Sequence, residues 1–298
     1  MKKKEMTSSL LLVLTAAIWG CAFVAQDVGA AYVEPLTFLA SRSWIAFFMM
    51  LVLFGVMEKR RKARGEKSAL PPTGTAWRHV LLGGFVCGFL LFAASYAQQA
   101  GMADTTPAKA GFITAMYVVI VPVLAILFGQ KVRPLIWLCV GMGVVGLYLL
   151  SIKEGFTIGL GDGLVMLCAV LFSLQIMAVN YFAPSMDGVL LSMLEFLTES
   201  ILATAGMLLF EHPTAAGLAA AGLAIFYAGF FSSGVGYTLQ IIAQQGLQPA
   251  LASLLMSLES VFSALAGWLI LHQTLTGREL AGCLLLFAAI LVSQLPER

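Results

Sequence analysis

Along the chain, long apolar runs alternate with short polar or turn-rich breaks. Ten runs of helix-spanning length are read at 8–27, 35–57, 79–101, 105–128, 134–152, 160–182, 188–210, 216–244, 248–271 and 276–295. A hydrocarbon core of about 30 Å needs about 20 helical residues, which each run supplies. A transmembrane barrel would instead show short alternating segments. The predicted fold class is therefore an all-α integral membrane protein with ten transmembrane helices. The first run follows Met1-Lys2-Lys3-Lys4 but carries Trp19-Gly20 and Phe23 and offers no small-x-small cleavage site. It is read as a retained helix rather than a leader.

Composition agrees. Of 298 residues, 60% are hydrophobic and 11% charged, and the mean hydropathy is +0.94. A soluble protein of this length would need far more charge on its surface. The cations also set an orientation. With both termini in the cytoplasm, Lys2, Lys3, Lys4, Lys59, Arg60, Arg61, Lys62, Arg64, Lys67, Arg78, Lys131, Arg133 and Arg298 lie inside, thirteen of the 17. Only Lys153 and Arg278 lie outside, and Arg42 and Lys109 fall within spans. A multi-pass protein of the cell membrane with both termini cytoplasmic is expected. The longest connection, about Glu58 to Trp77, is basic and carries Pro71-Pro72. It is too short to fold as a domain, so function is expected inside the bundle.

Several function classes lose support. No basic stripe with interleaved aromatics points to nucleic acid. Cys21, Cys87, Cys139, Cys168 and Cys283 all lie in apolar runs without metal spacing and read as small hydrophobes. His79, His212 and His272 stand singly near predicted interfaces, and neither HExxH nor a nucleophile elbow is present. No cofactor or metal is expected, and an enzyme is disfavoured, although intramembrane carboxylates could act as acid and base.

The halves resemble each other at a shift near 142. Pro107-Ala108-Lys109-Ala110 meets Pro249-Ala250-Leu251-Ala252, and Val119, Leu127 and Ser151 meet Val261, Leu269 and Ser293. The expected division is 1–152 and 153–298, five helices each. An odd number of helices per repeat makes the repeats insert in opposite orientations, which suits alternating access around a midplane site.

Trp19-Gly20-Cys21-Ala22-Phe23-Val24 resembles the WGxxFV signature of EamA-type transporters in the drug/metabolite transporter superfamily. Arg42 sits where that family often places an arginine. Tyr96-Ala97-Gln98-Gln99-Ala100-Gly101, Thr105-Thr106, Lys109-Ala110-Gly111-Phe112-Ile113-Thr114 and Tyr117 to Pro122 are similar to a bacterial branch. Leu258-Glu259-Ser260-Val261-Phe262 is similar to the family's LEPVF, with serine in place of proline. Gln130 and Gln273 replace the glutamates that commonly end the fourth and ninth helices. The resemblance covers essentially the whole chain. It implies two inverted five-helix repeats and secondary transport, with export expected, of small polar or amphipathic metabolites such as amino-acid-like compounds. A flippase for a lipid-linked substrate is the alternative, and it predicts a lateral opening.

Helical rise places Arg42 about 10 Å and Lys109 about 5 Å from the outer face, and Glu195 about 10 Å from the inner face. Glu199 and Glu259 fall near the midplane. Ionisable groups at such depth are costly unless paired or hydrated. Lys109 either snorkels outward or lines the outward part of a cavity. Arg42 either pairs with a carboxylate, for which Glu199 is the better depth match, or binds a substrate carboxylate or phosphate. Glu195 and Glu199 share a helix face and repel. Glu199 and Glu259 are the candidate proton carriers, with the proton as coupling ion. Candidate cavity residues are Trp19, Arg42, Tyr96, Gln98, Gln99, Lys109, Tyr117, Gln175, Tyr237 and Gln240. The small pairs Ala16/Gly20, Gly84/Gly88 and Gly229/Ser233 allow close helix approach. Expected partners are a small-molecule substrate and membrane lipids, and a ten-helix bundle requires no oligomer.

Overall fold

A computed structural model describes residues 3–102, 104–105, 107–151, 159–270 and 276–295, with the side chains at 3 and 107–109 outside the description. Among the described residues there is no strand. The helices are α1 (Lys3–Ala30), α2 (Pro35–Ala63), α3 (Gly74–Gly101), α4 (Pro107–Thr114), α5 (Tyr117–Leu127), α6 (Pro134–Ser151), α7 (Leu160–Phe182) and α8 (Gly188–Phe210). They continue with α9 (Ala215–Ala220), α10 (Gly222–Phe226), a π-helical segment (Tyr227–Tyr237), α11 (Thr238–Gln244), α12 (Pro249–Met256), α13 (Glu259–Ile270) and α14 (Gly277–Ser293). Nine helical segments among the described residues are long and apolar enough to cross a membrane. The last run forms α14, with 17 residues. The chain is an all-helical, multi-pass membrane protein.

Three of the ten runs are interrupted, where the apolar pattern alone reads as continuous. The run at 105–128 divides into α4 and α5, and that at 248–271 into α12 and α13. At both breaks the winding tightens to three-residue hydrogen bonds, Met116 N to Ile113 O (3.1 Å) and Leu258 N to Leu255 O (3.3 Å). The run at 216–244 widens instead into the π segment, which holds Gly229, Gly234 and Gly236.

Helix ends are fixed by side chains. Glu211 accepts from the backbone of Leu36 (2.7 Å) and Thr37 (2.6 Å) and from the Thr37 hydroxyl (2.7 Å), so it satisfies the free donors at the start of α2. Asp187 caps α8 through Val189 N and Leu190 N, and Arg61 at the end of α2 reaches it at 2.7 Å. Thr276 and Glu279 form a reciprocal capping box on α14. Ser9 of α1 meets Gln294 just past α14 at 3.4 Å, so the two ends of the described chain share one face.

The packing repeats itself between halves. α2 lies against α8 and α6 against α14. α3 packs on α7, and its counterpart is α1 on the π segment and α11. The small residues allow this closeness. A Cβ on Gly20 would come within 2.5 Å of Phe262 Cβ, and one on Gly88 within 2.5 Å of Thr198 Cβ and Glu195 O.

Candidate functional site

Between the halves lies a cavity of about 40 Å³. That volume holds water and is far below the several hundred Å³ of a metabolite pocket, so a metabolite needs the helices to part. α1 contributes Trp19, Ala22, Phe23 and Gln26, whose spacing keeps them on one helical face. Arg42 comes from α2, Gln98 from α3, Tyr117 from α5, and Phe172, Gln175 and Ile176 from α7. Ser232 and Tyr237 enter from the π segment, Gln240 from α11, Met256 from α12 and Glu259 from α13.

The lining is paired between halves. α12 begins 249 − 107 = 142 residues after α4, and α8 begins 188 − 35 = 153 residues after α2. The first offset matches Gln98 with Gln240, and Tyr117 with Glu259. The second matches Trp19 with Phe172, Ala22 with Gln175 and Phe23 with Ile176. All ten residues line the cavity. It therefore sits where the two halves meet in equivalent fashion.

Its polar groups are partly committed. Tyr117 Oη donates to Glu259 Oε1 at 2.9 Å. Glu259 lies in the first turn of α13, where the helix dipole favours a carboxylate. Arg42 faces Glu199 at a loose 3.9 Å, both side chains buried. Its Nε has no hydrogen-bond partner among the described residues, and neither does Gln240 Oε1. Buried polar atoms of this kind are costly unless something satisfies them. Gln98 Nε2 donates to Thr114 Oγ1 at 3.1 Å. Gln240 Nε2 donates to Gln175 Oε1 (3.2 Å) and Gln244 Oε1 (3.3 Å). The Trp19 and Tyr237 rings pack with centroids 4.6 Å apart, and Trp19 Nε1 donates to Ser232 O at 3.2 Å. The arrangement offers a guanidinium, a carboxyl, amides and aromatic faces around one small space. Among the described residues no group of His, Cys, Asp or Glu could hold a metal.

Of the residues expected from sequence, Trp19, Arg42, Gln98, Tyr117, Gln175, Tyr237, Gln240 and Glu259 come together here. Three others lie apart. Glu199 is fully buried beside Arg42, off the lining. Gln99 is buried outside the cavity, and Tyr96 is 41% exposed, its ring stacked on Phe92. Lys109 sits on α4, with its side chain outside the described residues. Gln26 and Ser232 were not singled out from sequence. Gln26 was findable, seven positions after Trp19 on the same face. Ser232 was not, because π winding shifts the side chains away from the α-helical period.

A sequence model of the EamA-like transporter family matches residues 6–152 and again 159–294. A curated relative from Archaeoglobus fulgidus, described as an uncharacterized transporter, is 27% identical over 299 residues, covering 98% of this chain and 87% of its own length. One solved crystal structure superposes with a TM-score of 0.76 over 97% of this chain and 98% of that one. At 21% identity that likeness concerns the fold. The double match spans both halves that enclose the cavity, and the chain belongs to the EamA-like transporter family, within the drug/metabolite transporter superfamily.

Proposed function

We propose that this protein is a secondary transporter of small zwitterionic or otherwise amphipathic metabolites, amino-acid-like in chemistry, and that it works by alternating access. The observation that carries the reading is the cavity itself, walled by matched pairs from two halves and holding both a guanidinium and a carboxyl. Arg42 Nε is a free donor suited to a ligand carboxylate. Glu259 and the free Gln240 Oε1 are acceptors suited to an ammonium. Trp19 and Tyr237 supply apolar faces for a side chain. Five spans per half make the halves inverted, with 1–152 and 153–298 as the repeats. Rocking of one half against the other opens each end in turn. The cation bias supports cytoplasmic termini in a cell-membrane protein, and export is part of the same proposal.

No residue of the cavity needs to be a catalytic group in this account. The test is counterflow in proteoliposomes with a metabolite panel of free amino acids, peptides and sugars. Saturable exchange of a zwitterionic compound supports the reading. Chemical turnover of a membrane substrate without saturable uptake of any compound would replace it with an enzyme.

A further inference from the structure

Glu195 is an acid that neither an ion pair nor the cavity lining accounts for. It sits on α8 with no solvent exposure. Gln175 Nε2 donates to its Oε1 at 2.7 Å, and its Oε2 has no hydrogen-bond partner among the described residues. Nor does any cation among them pair with it. One turn further on, Glu199 has Arg42 at 3.9 Å. Across the cavity, Glu259 has the Tyr117 hydroxyl. The titratable groups that act on Glu195 are Glu199 on its own helix, Cys87 from α3 and Tyr237 from the π segment, while Arg42 from α2 stands against Glu199 instead. α11 also packs on α8 and brings no ionisable side chain. A carboxylate in a membrane interior with a single neutral donor is a poor resting place for a negative charge.

Two hydrogen bonds join this acid to the cavity. Gln175 Nε2 holds Glu195, while Gln175 Oε1 accepts from Gln240 Nε2 at 3.2 Å. Both glutamines line the cavity, and Gln240 Oε1 is open to a donor. A ligand acceptor that draws the Gln175 amide toward the cavity competes with Glu195 for that donor and weakens the carboxylate's sole hydrogen bond. Protonation of Glu195 removes its need for that donor and releases Gln175 to the ligand. By linkage the two events favour each other. Repeat geometry adds an independent argument. The offset of 153 matches Arg42 with Glu195 (42 + 153 = 195). Arg42 lines the cavity in this conformation, and Glu195 lies one side chain behind it. Exchange of the two halves' conformations would, by this equivalence, bring the acid to the cavity-facing position.

We propose that Glu195 binds the coupling proton and that Gln175 ties its occupancy to the contents of the cavity. A hydronium ion in water admitted to the cavity gives up one O–H bond as the Glu195 carboxylate gains one, leaving a water molecule and the neutral acid. The coupling role rests on the transport reading, while proton binding itself does not.

The experiment has two arms. In the first, pH-induced infrared difference spectra are recorded for the full chain in lipid nanodiscs, with wild type, E195Q, E199Q, E259Q and Q175L. A carboxylic-acid C=O band should vanish in E195Q, persist in E199Q and E259Q, and titrate at more alkaline pH in Q175L. A band that persists in E195Q, or that Q175L leaves in place, overturns the proposal. In the second arm, proteoliposomes take up the metabolite panel with and without a pH gradient. E195Q should retain counterflow and lose gradient-driven accumulation by at least tenfold, and E195D should restore part of it. Undiminished accumulation in E195Q overturns the coupling role. A wild type without counterflow counts against transport alone, because the infrared arm still decides the proton site.

Discussion

Tyr117 and Glu259 share a hydrogen bond of 2.9 Å and stand 142 positions apart, the offset that also separates the starts of α4 and α12. Each residue opens the second segment of a broken helix, α5 in one half and α13 in the other. The bond therefore ties equivalent points of the two halves together at the cavity wall. Parting the halves stretches or breaks it. Tyr117→Phe and Glu259→Gln should each destabilise this conformation by about 1–2 kcal/mol. The double variant should cost less than their sum, because the pair acts as one unit. Thermal unfolding in nanodiscs for the four proteins measures the coupling, and strict additivity would separate the two residues.

Arg42 has two obligations, to Glu199 and to the cavity. Lysine keeps the charge but loses the planar fork. Arg42→Lys should raise KM about tenfold for a carboxylate-bearing substrate, equivalent to about 1.4 kcal/mol of binding, with a smaller effect on kcat. Arg42→Gln leaves Glu199 as an unpaired buried acid and should destabilise the fold by about 3–5 kcal/mol. Initial counterflow rates and unfolding temperatures distinguish the two losses.

Close approach of α3 to α8 depends on Gly88, where a Cβ would come within 2.5 Å of Thr198 Cβ and Glu195 O. Gly88→Ala should lower stability by about 1–3 kcal/mol through overpacking. Gly55 on α2 has open space around its Cβ position. Gly55→Ala should be neutral or stabilise by up to about 1 kcal/mol. Equal unfolding temperatures for the two variants would contradict this account of the packing.

Glu211 holds the start of α2 through three hydrogen bonds, far along the chain from the residues it caps. Glu211→Ala should reduce stability by about 1–2 kcal/mol and leave the KM of counterflow unchanged. A changed KM with unchanged stability would place Glu211 in the transport pathway instead.

Much of this was legible in the sequence. The ten apolar runs reflect a hydrocarbon thickness that length alone can match. Arg42 and Glu259 stood out because a charge within such a run needs a reason, and depth arithmetic already favoured Glu199 as the partner of Arg42. The breaks at Ala115-Met116 and Ser257-Leu258 were hidden, since a few tightened hydrogen bonds leave an apolar run apolar. The π segment was hidden as well, and with it Ser232. Tyr96 illustrates the limit of motif reading. It sits two positions before Gln98, so helical geometry turns it about 200° away, to the outer surface of α3. The pairing of Arg42 with Glu195 needed the helix boundaries, because the long connection between α2 and α3 changes the repeat offset from 153 to 142.

If the cavity between the halves is the transport site, Ser232→Cys puts a reactive thiol in the pathway. Ser232 lines the cavity, and the substitution exchanges one small side chain for another, so it is mild. The variant, folded and reconstituted, is assayed for counterflow before and after reaction with a small methanethiosulfonate, with wild type treated alike because it carries Cys21 and four buried cysteines. Counterflow should be normal before treatment, fall at least tenfold after it, and change little in wild type. Full counterflow by S232C protein whose introduced thiol is shown by mass spectrometry to be modified would contradict the cavity as the transport site.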